Sequence, residues 1–251
     1  MPETTPGPIA PWSLGSVRTW YMVLGLAALF ACSPGFIAGG QSPRPHAPPR
    51  FVVVLDAAHG GSDSGARIVD PSGKEVAEKN LTLALSVRLR SLLGARGITV
   101  ITTRESDADL DPGQRAEIAN HAQAQACLTL HAAMSGSGVH LFISSLPPAR
   151  QSQFMPWKTS QAASVTRSVA LAGVVNSALL HSGLTVTLGR TALTTVDSMA
   201  CPAIAVEIAP EAAPDKGTGP GAGVGDPGYQ TQVTQALAAA VVAWRAEAQQ
   251  P

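Results

Sequence analysis

In Phe51-Val52-Val53-Val54-Leu55-Asp56-Ala57-Ala58-His59-Gly60-Gly61, an unbroken apolar run passes into a polar loop that carries a histidine and two glycines. A β-branched run with no alternation predicts a strand covered on both faces, as in parallel sheets. The covering helices follow. Leu81, Leu85, Leu89 and Leu92 recur at helical spacing and predict an amphipathic helix ending near Gly94 to Gly97. Ile98 to Ile101 reads as the second strand, Gln114 to Ala124 as a short helix, and Ala126 to Leu130 as the third strand. Gly138 to Ser144 predicts a fourth strand, with Val139, Leu141 and Ile143 pointing one way. A Pro-, Gln- and Ser-rich loop from Pro147 to about Ser160 leads into a long helix to Leu180, with Val165, Val169 and Leu179 near one face. Leu184 to Leu188 and Ala203 to Ile208 complete about six strands, and Tyr229, Val233, Leu237, Val241 and Trp244 mark a closing helix. Strands alternating with helices predict an α/β fold, a three-layer α-β-α sandwich around a mostly parallel or mixed central sheet. Pro210 to Gly228, rich in Gly, Pro, Ala and Asp, predicts an irregular loop.

Composition agrees with one core of this kind. The chain has 251 residues, of which 45% are hydrophobic and 14% charged, too apolar for wholesale disorder. Seventeen basic and seventeen acidic residues cancel, and only 4% are aromatic. Neither a phosphate-binding surface nor a base-stacking platform is provided, so nucleic acid is not an expected partner.

Residues 1–50 differ from the rest. They hold nine of the twenty prolines and one acid against three bases, which predicts targeting segment and linker, leaving 51–251 as the functional domain. Arg18 precedes an uncharged stretch from Trp20 to Phe30, followed by small residues. Its length suits the core of a signal peptide, and extension to Ala38 approaches that of a membrane anchor. Leu29-Phe30-Ala31-Cys32 resembles the lipobox of bacterial lipoproteins, so a membrane tether through this segment or through a lipidated Cys32 is an alternative to cleavage. Each route predicts export to the periplasm or cell envelope. Cys127 and Cys201 are expected as buried small hydrophobes, with a disulfide as the lesser alternative.

Chemistry in open α/β sheets collects beyond the carboxyl ends of strands. His59, His131 and Glu207 lie at such ends, and Glu78 opens the leucine-rich helix. Two imidazoles and a carboxylate form a ligand set for catalytic zinc, with a further glutamate available as base. Taken singly, each histidine reads more simply as a hydrogen-bonded structural residue and Glu78 as a helix N-terminal charge. Glu207 stands apart, because Ala203-Ile204-Ala205-Val206 carries it into apolar surroundings where an unpaired carboxylate is costly.

The order of motifs resembles the zinc-dependent N-acetylmuramoyl-L-alanine amidases of the type 3 family. The resemblance runs from the strand and loop ending in His59-Gly60-Gly61 through Asp63-Ser64-Gly65-Ala66, Glu78-Lys79-Asn80-Leu81 and Thr103-Arg104. It continues through Arg115-Ala116-Glu117-Ile118-Ala119-Asn120, Leu128-Thr129-Leu130-His131-Ala132 and Gly138-Val139 to Pro202-Ala203-Ile204-Ala205-Val206-Glu207. The resemblance implies that His59, Glu78 and His131 hold Zn²⁺, that Glu207 is the catalytic carboxylate, and that the substrate is peptidoglycan, cut between N-acetylmuramic acid and L-alanine. Zinc in such a site acidifies water and polarises the amide carbonyl. Arg104 and Arg115 are candidate substrate anchors, with ion pairing to nearby acids as the alternative. His121, His140 and His181 match no ligand position and are expected as surface or packing residues. A protein activator is not identified by any motif.

The chain departs from the family pattern at three places. Ala57-Ala58 stand where Pro-Gly is usual, Ala133 where asparagine is usual, and Ile208-Ala209-Pro210-Glu211 replace a Gly-Phe-x-Ser-Asn stretch. The link between the Gly138 strand and the Val165 helix is short, which resembles members lacking a long inhibitory helix. The ligands and base are retained, so these differences bear on the cleft border. Competing expectations are another zinc peptidase or amidohydrolase on a related fold, and a catalytically silent wall-binding module.

Overall fold

The structure is a computed structural model that describes residues 50–69, 73–152, 154–211 and 221–249. The expectations for the N-terminal segment and Cys32 fall outside these residues. In chain order the elements are β1 (Val52–Ala57), β2 (Arg67–Val69), β3 (Glu75–Ala77), α1 (Glu78–Gly94), β4 (Thr99–Thr102), α2 (Pro112–His121), β5 (Ala126–Ala132) and β6 (Val139–Ser144). There follow a 3-10 helix (Trp157–Ala163), α3 (Val165–His181), β7 (Val186–Thr191), α4 (Thr194–Asp197), β8 (Ala203–Ile208) and α5 (Pro227–Ala248).

Six strands form the central sheet in the order β4-β1-β5-β8-β6-β7. β4, β1, β5 and β8 run parallel, β6 is antiparallel to β8, and β7 is parallel to β6. The sheet therefore reverses direction between β8 and β6. The start of β6 lies beside the carboxyl end of β8, one strand away from that of β5.

Strand alternation divides the side chains between two unequal cores. On one face Val53, Leu55, Leu128, Leu130, Leu141, Ile204 and Val206 pack with residues of α1, α3 and α5. The opposite face carries Val54, Cys127, Ala203 and Ala205, covered by α2 and α4 through Ala116, Ala119 and Val196. Its residues are small, and the next positions along the same face are Asp56, Thr129, His131 and Glu207 rather than apolar groups. The thick layer supplies the larger buried apolar area. The thin layer leaves its upper edge to polar residues.

Local signals account for the helix ends. Asp111 caps α2 by accepting from the Gln114 amide, with Pro112 in the first turn and the Gln114 side chain returning a bond to the Asp111 amide. Asp226 caps α5 in the same way, accepting from the Tyr229 amide at 2.8 Å.

Several expectations need correction. The long helix before Leu180 is two helices bent by 66°. Its buried stripe is Val165, Ser168, Leu171, Ala172, Val175 and Leu179, while Val169 is 47% exposed. Cys127 and Cys201 are bonded to each other, with 6.2 Å between their Cα atoms. Strand register explains the pairing: Cys127 lies opposite Ala203, which brings Cys201 close as the chain enters β8. The β2–β3 hairpin and α4, too short to carry a periodic signal, were not foreseen.

Candidate active site

Glu78 is the first residue of α1 and is 4% exposed. Its helix opens without a capping side chain; the Glu78 and Lys79 amides instead donate to the carbonyls of Ala66 and Ser64. That tie draws the 63–66 loop over the carboxylate. The Ala66 amide donates to Glu78 Oε2 at 2.9 Å, and the Ala132 amide donates to Oε1 at 3.0 Å. The same two oxygens meet two imidazoles, Oε2 lying 3.1 Å from His59 Nε2 and Oε1 lying 3.0 Å from His131 Nδ1. One buried carboxylate thus bridges both rings, whose planes meet nearly at a right angle with centroids 5.3 Å apart.

The donor atoms of His59, Glu78 and His131 lie within 4.8 Å of one another. Burial pushes the Glu78 carboxyl up, but hydrogen bonding with His131 and His59 and from the two amides outweighs it, so the group stays ionised well below the usual carboxylate range. The bond with Glu78 raises His59 above its ordinary value, with Asp63 acting in the same direction. Asp63 Oδ2 lies 2.7 Å from His59 Nδ1 and accepts its proton, so that Nε2, once deprotonated, has its lone pair available to a metal. Two nitrogens and one anionic oxygen, oriented by an outer carboxylate, fit a zinc ion in donor chemistry and spacing.

Gly65 makes this approach possible. Its φ is +63°, and an added Cβ would fall 2.6 Å from Glu78 Oε2 and 2.7 Å from His59 Cδ2. Lys79 secures the neighbouring loop, donating to the Gly61 carbonyl at 2.8 Å and to Asp107 Oδ2 at 2.7 Å. Asp107 also accepts from the Gly61 amide.

Glu207 reaches the site from β8, in register with His131 of β5 on the thin face of the sheet. It is only half-buried, and no hydrogen-bond partner for its carboxylate occurs among the described residues. Met134 and Val69, both more than two-fifths exposed, meet through a bond from the Val69 amide to the Met134 sulfur.

The two arginines have a different place from the one expected of substrate anchors. Arg104, 4% exposed, donates to the carbonyls of Ala57, Ala58, Lys79 and Ser106. Arg115, 5% exposed, donates to Asp56 Oδ1 and to the carbonyls of Ala57, His59 and Leu110. Both therefore hold the His59 loop from below, and neither turns its guanidinium to solvent. Ion pairing with a nearby acid, the alternative reading, holds for Arg115 through Asp56, while Glu105 pairs with Arg90. His121 and His181 are exposed as expected. His140 is half-buried and in register with Glu207. Its nearness to the site was hidden in the sequence, because it depends on β6 running antiparallel to β8.

Comparison with known proteins identifies the scaffold. The profile of the N-acetylmuramoyl-L-alanine amidase family matches residues 53–242. The germination-specific N-acetylmuramoyl-L-alanine amidase of Bacillus subtilis (strain 168) is 35% identical over 94 residues, covering 32% of this chain and 38% of that protein. N-acetylmuramoyl-L-alanine amidase AmiC of Neisseria meningitidis serogroup B is 29% identical over 147 residues, covering 55% of this chain and 34% of that protein. The matches thus span roughly a third of the length of these curated relatives. Among solved structures, the catalytic domain of CwlV, an N-acetylmuramoyl-L-alanine amidase from Bacillus (Paenibacillus) polymyxa var. colistinus, superposes with a TM-score of 0.58 at 26% identity, covering 77% of this chain and 97% of that one. Ami1 of Mycobacterium smegmatis shares the fold, with a TM-score of 0.57 at 20% identity over 77% of this chain and 96% of that one. With the family profile extending across the whole central sheet, from β1 to α5, the chain belongs to the N-acetylmuramoyl-L-alanine amidase family.

Proposed function

We propose that this protein hydrolyses the amide between the lactyl group of N-acetylmuramic acid and L-alanine in peptidoglycan, acting in the cell envelope, with Zn²⁺ held by His59, Glu78 and His131. The observation that carries the proposal is the single Glu78 carboxylate bridging His59 and His131, with Glu207 in register beside His131. The N-terminal segment is proposed as the export signal or tether.

Bound Zn²⁺ supplies Lewis-acid polarisation of the scissile carbonyl and acidifies water so that it attacks near neutrality. The chain's own residues handle the protons. Glu207 accepts one from the attacking water and becomes a carboxylic acid. As the C–N bond breaks, it returns that proton to the alanine nitrogen, so the amine leaves neutral and the carboxylate is restored. Half-burial and freedom from other partners suit Glu207 to this traffic. Asp63 keeps His59 in the tautomer that ligation requires.

Digestion of purified sacculi tests the proposal. Wild type should release stem peptides bearing a free N-terminal L-alanine. Glu207→Gln should retain about one zinc per chain and lose activity by ~10²-fold or more. His131→Ala should lose both metal and release. Cleavage of free peptides without sacculus products would instead indicate a peptidase, and wild-type binding of sacculi without hydrolysis would indicate a wall-binding module.

A further inference from the structure

We propose that the groove between α2 and the 3-10 helix binds a saccharide unit of the peptidoglycan glycan strand, with Trp157 as the platform on which the sugar ring lies. The proposal rests on peptidoglycan being the substrate and gives the protein a second hold on the same polymer, apart from the cleavage site.

The groove is built into the fold. Gly113, Ala116, Glu117, Asn120 and His121 line it from α2, a stripe at helical spacing, and Trp157 lines it from the 3-10 helix. Both walls are fastened to one support, the segment 196–201 that leads from α4 into β8. From α2, Asn120 donates to the Ser198 carbonyl at 3.0 Å and accepts from the Ala200 amide at 2.7 Å. From the 3-10 helix, the fully buried Gln161 donates to the carbonyls of Val196, Met199 and Cys201 at 3.3, 2.9 and 3.0 Å. Cys201 is in turn bonded to Cys127 of β5, so the support is fixed to the central sheet. A groove pinned on both sides is formed before its ligand arrives, and binding costs little further ordering.

Its size and lining suit a sugar. The volume is about 420 Å³, within the range of sites that hold small ligands. The stripe from Gly113 to His121 extends over ~12 Å of helix. Gly113 and Ala116 keep the floor shallow and apolar, and the Cη2 and Cζ3 edge of Trp157 lies 3.5 and 3.7 Å from where a Gly113 Cβ would stand. Trp157 is nevertheless 54% exposed, which leaves much of the indole for a ligand. Around it are the exposed side chains of Glu117 and His121, and the Lys158 ammonium at 5.4 Å from the indole centroid. A carboxylate accepts from hydroxyls, an ammonium donates to them and an imidazole does either. A pyranose presents the matching pattern, an apolar C–H face edged by hydroxyl and acetamido groups. A lipid surface matches less well, because it is met by protruding apolar residues among basic ones, whereas this ring borders a hollow that carries a carboxylate.

The groove is also fixed relative to the candidate metal site. Arg115, two residues from Gly113 on α2, donates to the His59 carbonyl. A strand held along α2 is thus kept beside the loop that presents His59, and its stem peptides reach the metal site at raised local concentration.

The experiment sediments the zinc-loaded full chain with glycan strands stripped of stem peptides, which lack the scissile amide, so no turnover intervenes. Wild type should cosediment, and Trp157→Ala should bind about tenfold more weakly at an unchanged thermal midpoint. Trp157→Tyr keeps an aromatic face and should stay within about threefold of wild type. Turnover of intact sacculi should fall about fivefold in Trp157→Ala, while that of a soluble monomeric muropeptide stays within about twofold, because only the polymer spans groove and cleft. If Trp157→Ala does not fold, the double variant Glu117→Ala, His121→Ala, which trims only exposed side chains, reads the same loss. Glycan strands left unbound by wild type, equal binding by a folded Trp157→Ala, or equal losses on soluble and polymeric substrates would overturn the proposal. So would Trp157-dependent binding to phosphatidylglycerol vesicles in place of glycan. Glycan binding by wild type without release of stem peptides from sacculi would refute the amidase reading instead.

Discussion

Arg115→Met separates a loop-holding arginine from a substrate anchor. Arg115 is 5% exposed and Asp56 1%, and their 2.8 Å pair lies beneath the His59 loop. Methionine fills much of the same volume but cannot donate. Among the described residues Asp56 would keep the Thr103 hydroxyl, at 2.7 Å, as its only side-chain donor, and the carbonyls of Ala57, His59 and Leu110 would lose theirs from Arg115. Breaking a buried pair on one side costs about 3–5 kcal/mol, chiefly because the remaining charge is stranded in a poor solvent. For a domain of this size that lowers the thermal midpoint by ~6–20 °C. Circular dichroism melts and urea titrations of the zinc-loaded protein measure the loss. Zinc content should also fall, because the His59 carbonyl is one of the acceptors released. Adding Asp56→Asn removes the stranded charge and should recover part of the lost stability. Unchanged stability with a raised KM would refute the reasoning and return Arg115 to the substrate.

Other perturbations address separate parts of the structure. Replacing Cys127 and Cys201 by alanine, or reducing the wild type, should cost about 2–4 kcal/mol in urea titrations, since the bond closes a loop of 74 residues; added reductant should not affect the double variant. Gly65→Ala should lower zinc affinity at least tenfold by isothermal titration, because the new methyl occupies the space between Glu78 and His59. Tyr229 donates to the Ala209 carbonyl, and burial pushes its phenol up to about 12 from 10.0. A raised folded value contributes stability that is complete below pH 10 and lost as pH rises toward 12. Tyr229→Phe should therefore cost about 1 kcal/mol at neutral pH and show a shallower alkaline decline in melts taken across that window.

Sheet and site were legible to different degrees. Continuous runs such as Val52 to Leu55 and Ala203 to Val206 announced central strands, because burial on both faces removes alternation. The four candidate site residues were found through strand ends and motif order rather than any local signature. What stayed hidden depends on contacts across long stretches of chain. Arg104 and Arg115 look like cleft residues until the backbone carbonyls they hold are seen. Val169 fits a helical stripe by spacing, but the bend before Val165 sets which face of α3 meets the sheet. His140 acquires its neighbour from the strand reversal, and Cys127 its partner from the β5–β8 register.

The bond between Cys127 and Cys201 also bears on resistance to proteolysis. The stretch around Gln151 and Phe154, the latter 84% exposed, is the natural point of attack. A cut there divides His59, Glu78 and His131 from Glu207 along the chain, yet the sulfur bridge spans the break and keeps both fragments in one covalent particle. Clipped protein should run as a single band without reductant and as two bands with it, and in the unreduced form it should retain whatever hydrolysis of sacculi the intact chain shows.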